Sequence, residues 1–203
     1  MGVIFPYTSA QCSYLLAIQD KTKPITIVTG PAGSGKTQLA CAEALGYRRI
    51  ILTRPTLAAD ESLGYLPGDI DAKMEPWARP MLELLETGAR RVSVEPLGFL
   101  RGRTFMPDSF VIADEMQNAT ESQMRLLLTR IGEGTKLVIT GDLAQSDLGA
   151  ENGLSDLVRR VDGLHFMYIN RVELGVDDVV RHPAVKEILK MYKEMPPSLC
   201  KTN

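Results

Sequence analysis

The chain has 203 residues, 44% of them hydrophobic and 24% charged, with a formal net charge of −2. That balance suits one folded core and excludes disordered, collagen-like and membrane-spanning compositions. It also supplies no overall positive field, so binding to nucleic acid would have to rest on local basic clusters. Cys12, Cys41 and Cys200 are scattered, odd in number and without metal-ligand spacing, which argues for reduced thiols. His165 and His182 lie far from them in sequence and read as structural rather than as zinc ligands. No apolar run is long enough to cross a bilayer, and the opening MGVIFPYTSAQ lacks the basic region and apolar stretch of a signal peptide, so a cytoplasmic protein with no membrane partner is expected.

In chain order, the periodicity predicts a helix over Gln11–Gln19, a strand over Ile25–Thr29, a helix over Lys36–Leu45 and a strand over Ile50–Thr53. Thr56–Pro80, rich in Gly, Pro and acidic residues, reads as a long ordered loop leading into a weaker helix over Trp77–Glu86. Strands follow at Val92–Glu95 and Phe110–Ala113, then a helix at Glu121–Arg130, a strand at Leu137–Thr140, a helix at Leu154–Val161, a strand at Phe166–Ile169 and a helix at Pro183–Met195. Thr120 and Gln123 have capping-box spacing, and Pro183 suits a first helical position. Such alternation predicts an α/β fold, a mainly parallel sheet with helices on both faces, in a single domain over residues 1–203.

The turn after the first strand is Gly30-Pro31-Ala32-Gly33-Ser34-Gly35-Lys36-Thr37, a G-x-x-x-x-G-K-[ST] match between a strand and a helix. Its glycines let successive backbone N–H groups converge on phosphate oxygens. Lys36 would reach the β- and γ-phosphates, and the Thr37 hydroxyl would bind Mg²⁺. A Gly-rich turn alone needs no Lys-Thr pair at the helix start, so nucleotide binding, with ATP and Mg²⁺, is the expected use.

Two later strand ends supply acidic and polar groups. Phe110–Ala113 runs into Asp114-Glu115, where ligands bind in open α/β sheets. Asp114 is the expected Mg²⁺ partner and Glu115 the group that orients attacking water and accepts its proton. Leu137–Thr140 runs into Gly141-Asp142-Leu143-Ala144-Gln145, so Thr140, Asp142 and Gln145 could reach the γ-phosphate or the attacking water. Arg54, Arg101 and Arg103 lie after strands or in loops and are candidate contacts to RNA or single-stranded DNA, with Trp77 as a possible stacking platform. Against this, arginines are scattered widely, and one Trp on a helix is more often a packing residue.

Taken together, GPAGSGKT, LTRP from Leu52, LGYLPGD from Leu63, RGRT from Arg101, DEMQN from Asp114, TRIGEGTKLVITGD from Thr129 and DVVRHP from Asp178 resemble the PhoH-like family of P-loop ATPases, related in motif style to superfamily 1 helicases. The resemblance runs from about Thr8 to Met195. It implies an ATP-hydrolysing RecA-like domain, oligomeric rings expected to be hexamers, and, in members fused to a nuclease, work on RNA. No nuclease module or second RecA-like domain fits in 203 residues, and Met116 stands where a small residue is common. The helicase likeness also implies that Gln11 reads the adenine edge and that Thr53-Arg54-Pro55 touches single-stranded nucleic acid. Because those helicases complete their site with an arginine from a second domain, Arg181 is the expected finger, held at a domain edge and inserted into a neighbouring subunit. The other functions compatible with the sequence are a small-molecule kinase and an assembly protein gated by nucleotide binding.

Overall fold

The computed structural model describes residues 5–55, 70–85 and 91–194. Six parallel strands, β1 (Ile25–Thr29), β2 (Arg49–Thr53), β3 (Arg91–Val94), β4 (Ser109–Ala113), β5 (Lys136–Gly141) and β6 (Ile169–Glu173), form one sheet in the order β3-β2-β4-β5-β1-β6. The helices are α1 (Ser9–Gln19), α2 (Lys36–Ala44), α3 (Ile70–Leu85), α4 (Glu121–Leu128), α5 (Gly153–Val161) and α6 (Pro183–Glu194).

The two-residue period of the strands divides the core. Val28, Ile50, Leu52, Phe110, Ile112 and Val138 face α1, α2 and α3, whereas Ile27, Val111, Ala113, Leu137 and Ile139 face α4, α5 and two short 3₁₀ turns. Sheet residues are therefore apolar on both sides, and the expected α/β architecture with helices on both faces is what these residues form. Burial pushes the Cys41 thiol up to about 12, assisted by the Asp114 carboxylate, so this cysteine is an inert packing group.

Several local signals act as expected. Thr120 and Gln123 form a reciprocal capping box on α4, and Pro183 opens α6. Two expectations are corrected. The Phe166–Ile169 strand lies later, at Ile169–Glu173, because pairing to β1 runs from Ile25 opposite Ile169 to Thr29 opposite Glu173. Phe166, Met167 and Tyr168 are exposed instead, and the edge position of β6 tolerates Asn170, Arg171 and Glu173 in the strand. The loop expected to run to Pro80 is helical from Ile70, with Pro76 and Pro80 inside α3. Met74, Ala78, Met81 and Leu85 lie on one helical stripe and are buried, and both prolines are on the exposed side, so packing overrides their cost. Residues 56–69, with the LGYLPGD string, and Cys200 lie outside the described residues.

Lys136 was not singled out by the sequence, yet it anchors α1. It is buried, and its ammonium donates to the carbonyls of Ala17 at 2.9 Å, Asp20 at 3.1 Å and Lys23 at 2.7 Å. Of these, the Ala17 carbonyl belongs to the last turn of α1, whose carbonyls a helix end leaves without internal partners, and Asp20 and Lys23 lie in the turn that follows it. The opposite end of α1 carries Thr8, which bonds the Asp178 carboxylate, and Gln11, which meets the phosphate loop.

Candidate nucleotide site

The carboxyl ends of β1, β4 and β5 open into a cleft of about 730 Å³. Its walls include Gln11, Ala32, Gly33, Gly35, Lys36, Thr37, Asp114, Glu115, Asp142, Gln145 and Arg181, so residues from five separated segments meet in one place.

The loop after β1 turns on glycines. Gly35 precedes α2 with φ 86° and Gly33 has φ 82°, a left-handed backbone that other residues adopt with strain. Lys36 folds back over the loop, its ammonium donating to the carbonyls of Gly30 at 2.7 Å and Pro31 at 2.9 Å. Burial lowers its pKa below the ordinary lysine value, and the carboxylates of Asp142, Asp114 and Glu115 oppose that shift. Beneath it, the fully buried Tyr14 hydroxyl donates to the Lys36 carbonyl at 3.0 Å.

Asp114 continues the backbone ladder, its N–H donating to the Thr53 carbonyl at 2.9 Å. Its carboxylate is buried and accepts from the Thr37 hydroxyl at 3.1 Å and from the Thr140 hydroxyl. Two hard oxygens, one charged, thus stand together at the start of α2, a donor set that suits Mg²⁺ shared with phosphates rather than a cage made wholly of protein. No group of three or more His, Cys, Asp or Glu side chains that could hold a metal ion is found among the described residues. Thr140, expected to reach the γ-phosphate, is fully buried and orients Asp114 instead.

Glu115 has φ 55°, a left-handed conformation rare for a residue with a side chain. Such strain costs on the order of 1–3 kcal/mol and persists where the surroundings over-determine it. Here it turns the chain abruptly out of β4, with the Glu115 side chain in the cleft. The carboxylate accepts from Gln117 Nε2 at 2.6 Å, and Gln117 Oε1 accepts from the Asp142 N–H at 3.1 Å. Gln117, 1% exposed, therefore ties the β4 end to the β5 end and fixes Glu115. Sequence reading missed it, although its place two residues after Glu115 in DEMQN was the available signal. Gln145 and Asp142 are coupled across the same wall at 2.8 Å.

Arg181 is placed differently from expectation. The Val180 N–H donates to the Gly33 carbonyl at 3.1 Å, and a Cβ added at Gly33 would lie 2.7 Å from Arg181 Nε. Arg181 thus lies with its stem against its own phosphate loop, after the Val176–Asp178 turn, and is exposed to solvent. Gln11 is also put to another use. It is 2% exposed, and its amide Nε2 donates to the Ser34 carbonyl at 2.9 Å and the Asp178 carbonyl at 3.0 Å. Its Oε1 accepts from the Tyr7 N–H at 2.7 Å. Thr8 reinforces the tie, donating to the Asp178 carboxylate at 2.5 Å. Both amide hydrogens of Gln11 thus hold backbone in this structure, a use different from the adenine reading expected of it.

The arginines proposed for nucleic acid diverge. Arg54 leaves the carboxyl end of β2 with its guanidinium 5.3 Å from the centre of the Trp77 ring, a cation–π pair. Arg103 pairs with Glu95 at 2.7 Å, and Arg101 is exposed.

A model of the family described as PhoH-like protein matches residues 3–193. A PhoH-like protein of Bacillus subtilis is 40% identical over 209 residues, 91% of this chain and 62% of the relative. Protein PhoH of Escherichia coli K12 is 40% identical over 210 residues, 93% of this chain and 58% of the relative. The chain thus spans about three fifths of the curated relatives it matches. Among solved structures, Bacteroides Pif1 bound to ssDNA aligns with a TM-score of 0.41 and 16% identity, over 94% of this chain and 46% of that one.

Proposed function

The chain belongs to the PhoH-like protein family, and from that premise we propose that its cleft binds Mg-ATP and hydrolyses it, with the energy coupled to RNA or single-stranded DNA in an oligomeric ring. The observation that carries the hydrolytic part is the meeting of Lys36, Thr37, Asp114 and Glu115 in one cleft, with Thr37 and Asp114 bonded at 3.1 Å.

In this reading the glycine-rich turn presents backbone N–H groups to the phosphates, and the Lys36 ammonium moves from loop carbonyls onto β- and γ-phosphate oxygens. Thr37 and Asp114 are the residues that would hold Mg²⁺, which when bound supplies positive charge against the phosphate oxygens. Glu115, fixed by Gln117, orients a water and accepts its proton as the oxygen attacks phosphorus. Gln145 and Asp142 line the same wall beside Glu115 and Gln117, within the region where the terminal phosphate and water would meet.

The Arg54–Trp77 pair favours a single-strand contact, since a guanidinium stacked on a ring offers both a phosphate donor and a face for a base. Mg²⁺-dependent phosphate release should rise when single-stranded RNA or DNA is added. Arg54→Ala should lower that rise, and the salt dependence of binding, more than it lowers release without nucleic acid. An unchanged rise in the variant would remove Arg54 from the interface.

Ring assembly stays part of the proposal, without a finger from Arg181. Because Arg181 lies on its own phosphate loop, mixing Arg181→Ala with Lys36→Ala protein should recover no activity beyond the sum of the two. Recovery in mixed oligomers would instead mean that Arg181 acts across subunits.

A further inference from the structure

We propose that the nucleobase is held in this cleft by stacking and packing against Tyr7 and Arg181, with no hydrogen-bond readout by Gln11, so that purine and pyrimidine triphosphates bind alike. The inference rests on the nucleotide-binding reading above and specifies its substrate class.

A glutamine amide has two N–H donors and one oxygen. In Gln11 both donors hold backbone carbonyls, Ser34 in the phosphate loop and Asp178 in the turn before Arg181, and the oxygen holds the Tyr7 N–H. The two bonds made by Nε2 are buried, and turning the amide toward a base edge would break three bonds to make two. It would also release the phosphate loop from the turn that carries Arg181. Gln11 is therefore a positioning residue, one that joins the N-terminal segment, the loop and the turn.

The groups left beside it stack rather than pair. Tyr7 is 75% exposed, and it lines both the nucleotide cleft and the adjoining groove together with Val180 and Arg181. The Arg181 stem, from Cγ to Nε, lies along Gly33, and the residue lines the cleft wall. A phenol ring and a guanidinium each accept the face of any base, because every base has a π-face. Of the two other amides on the described walls, Gln145 is bonded to the Asp142 carboxylate, and Gln38 is exposed, where water competes for its hydrogen bonds. Strong discrimination arises when buried polar groups are left unpaired by the wrong ligand, and among the described residues this wall has no such group free.

The test is equilibrium competition of ATP, GTP, CTP and UTP against one fluorescent nucleotide, with the full chain. The four dissociation constants should fall within about tenfold of one another, and Tyr7→Ala should weaken all four by a similar factor, about five- to a hundredfold. Gln11→Ala should weaken all four together. ATP binding more than about a hundredfold tighter than the others, or loss confined to ATP in Gln11→Ala, would overturn the inference and leave the ATPase reading standing. No binding of any of the four would overturn both.

Discussion

Lys36→Ala is expected to lower turnover by at least about 10²–10³-fold, the scale seen when one preorganised positive or hydrogen-bonding group is removed from a site of developing charge. In the cleft the Lys36 ammonium already occupies the mouth of the phosphate loop, on the carbonyls of Gly30 and Pro31. Three carboxylates, Asp142, Asp114 and Glu115, act on it and would otherwise repel a polyphosphate. Removing the lysine therefore takes away attraction and leaves that repulsion uncompensated. Tight nucleotide binding should fall with turnover, as measured by titration with Mg-ATP. The fold should persist, since the strands and helices do not depend on the Lys36 head group. Undiminished turnover would refute the site assignment.

Glu115→Gln should separate binding from chemistry. The amide keeps the size of the side chain and can still meet Gln117, but it cannot accept the proton of attacking water. A positioned general base contributes about 10²–10⁴-fold, so hydrolysis should slow by that order while Mg-ATP affinity stays within a few fold. Equal loss of binding and turnover would make Glu115 a metal or structural residue. The left-handed backbone at Glu115 sharpens the expectation, because a residue held in strain beside a fixed hydrogen-bond partner is oriented before substrate arrives.

The parts of the site legible in the sequence are those whose chemistry is local. Gly33, Gly35, Lys36 and Thr37 are neighbours in one turn, and Asp114-Glu115 follows an apolar run, so spacing alone identifies them. The sheet was legible for the same reason wherever strands were buried on both faces, as in β4 and β5. At the edge that signal fails: β6 has one neighbour, carries polar residues and lies after the apolar run that suggested it. Pro76 and Pro80 misled in the opposite sense, because the burial of Met74, Ala78, Met81 and Leu85 is a tertiary fact. Gln11, Gln117 and Arg181 show the same limit within the site. Each takes its role from partners brought together only by folding: Asp178 for Gln11, Asp142 for Gln117 and Gly33 for Arg181. A glutamine in a motif offers the same amide to a base or to a buried carbonyl, and only the contacts distinguish the two.

The most direct measurement is phosphate release from Mg-ATP by wild-type protein and Glu115→Gln, with bound nucleotide quantified on the same samples. Mg²⁺-dependent release by the wild type, with the variant loaded to the same extent but slower by at least about a hundredfold, is the predicted result. Equal release by the two proteins at equal loading would contradict a hydrolytic site built on Glu115.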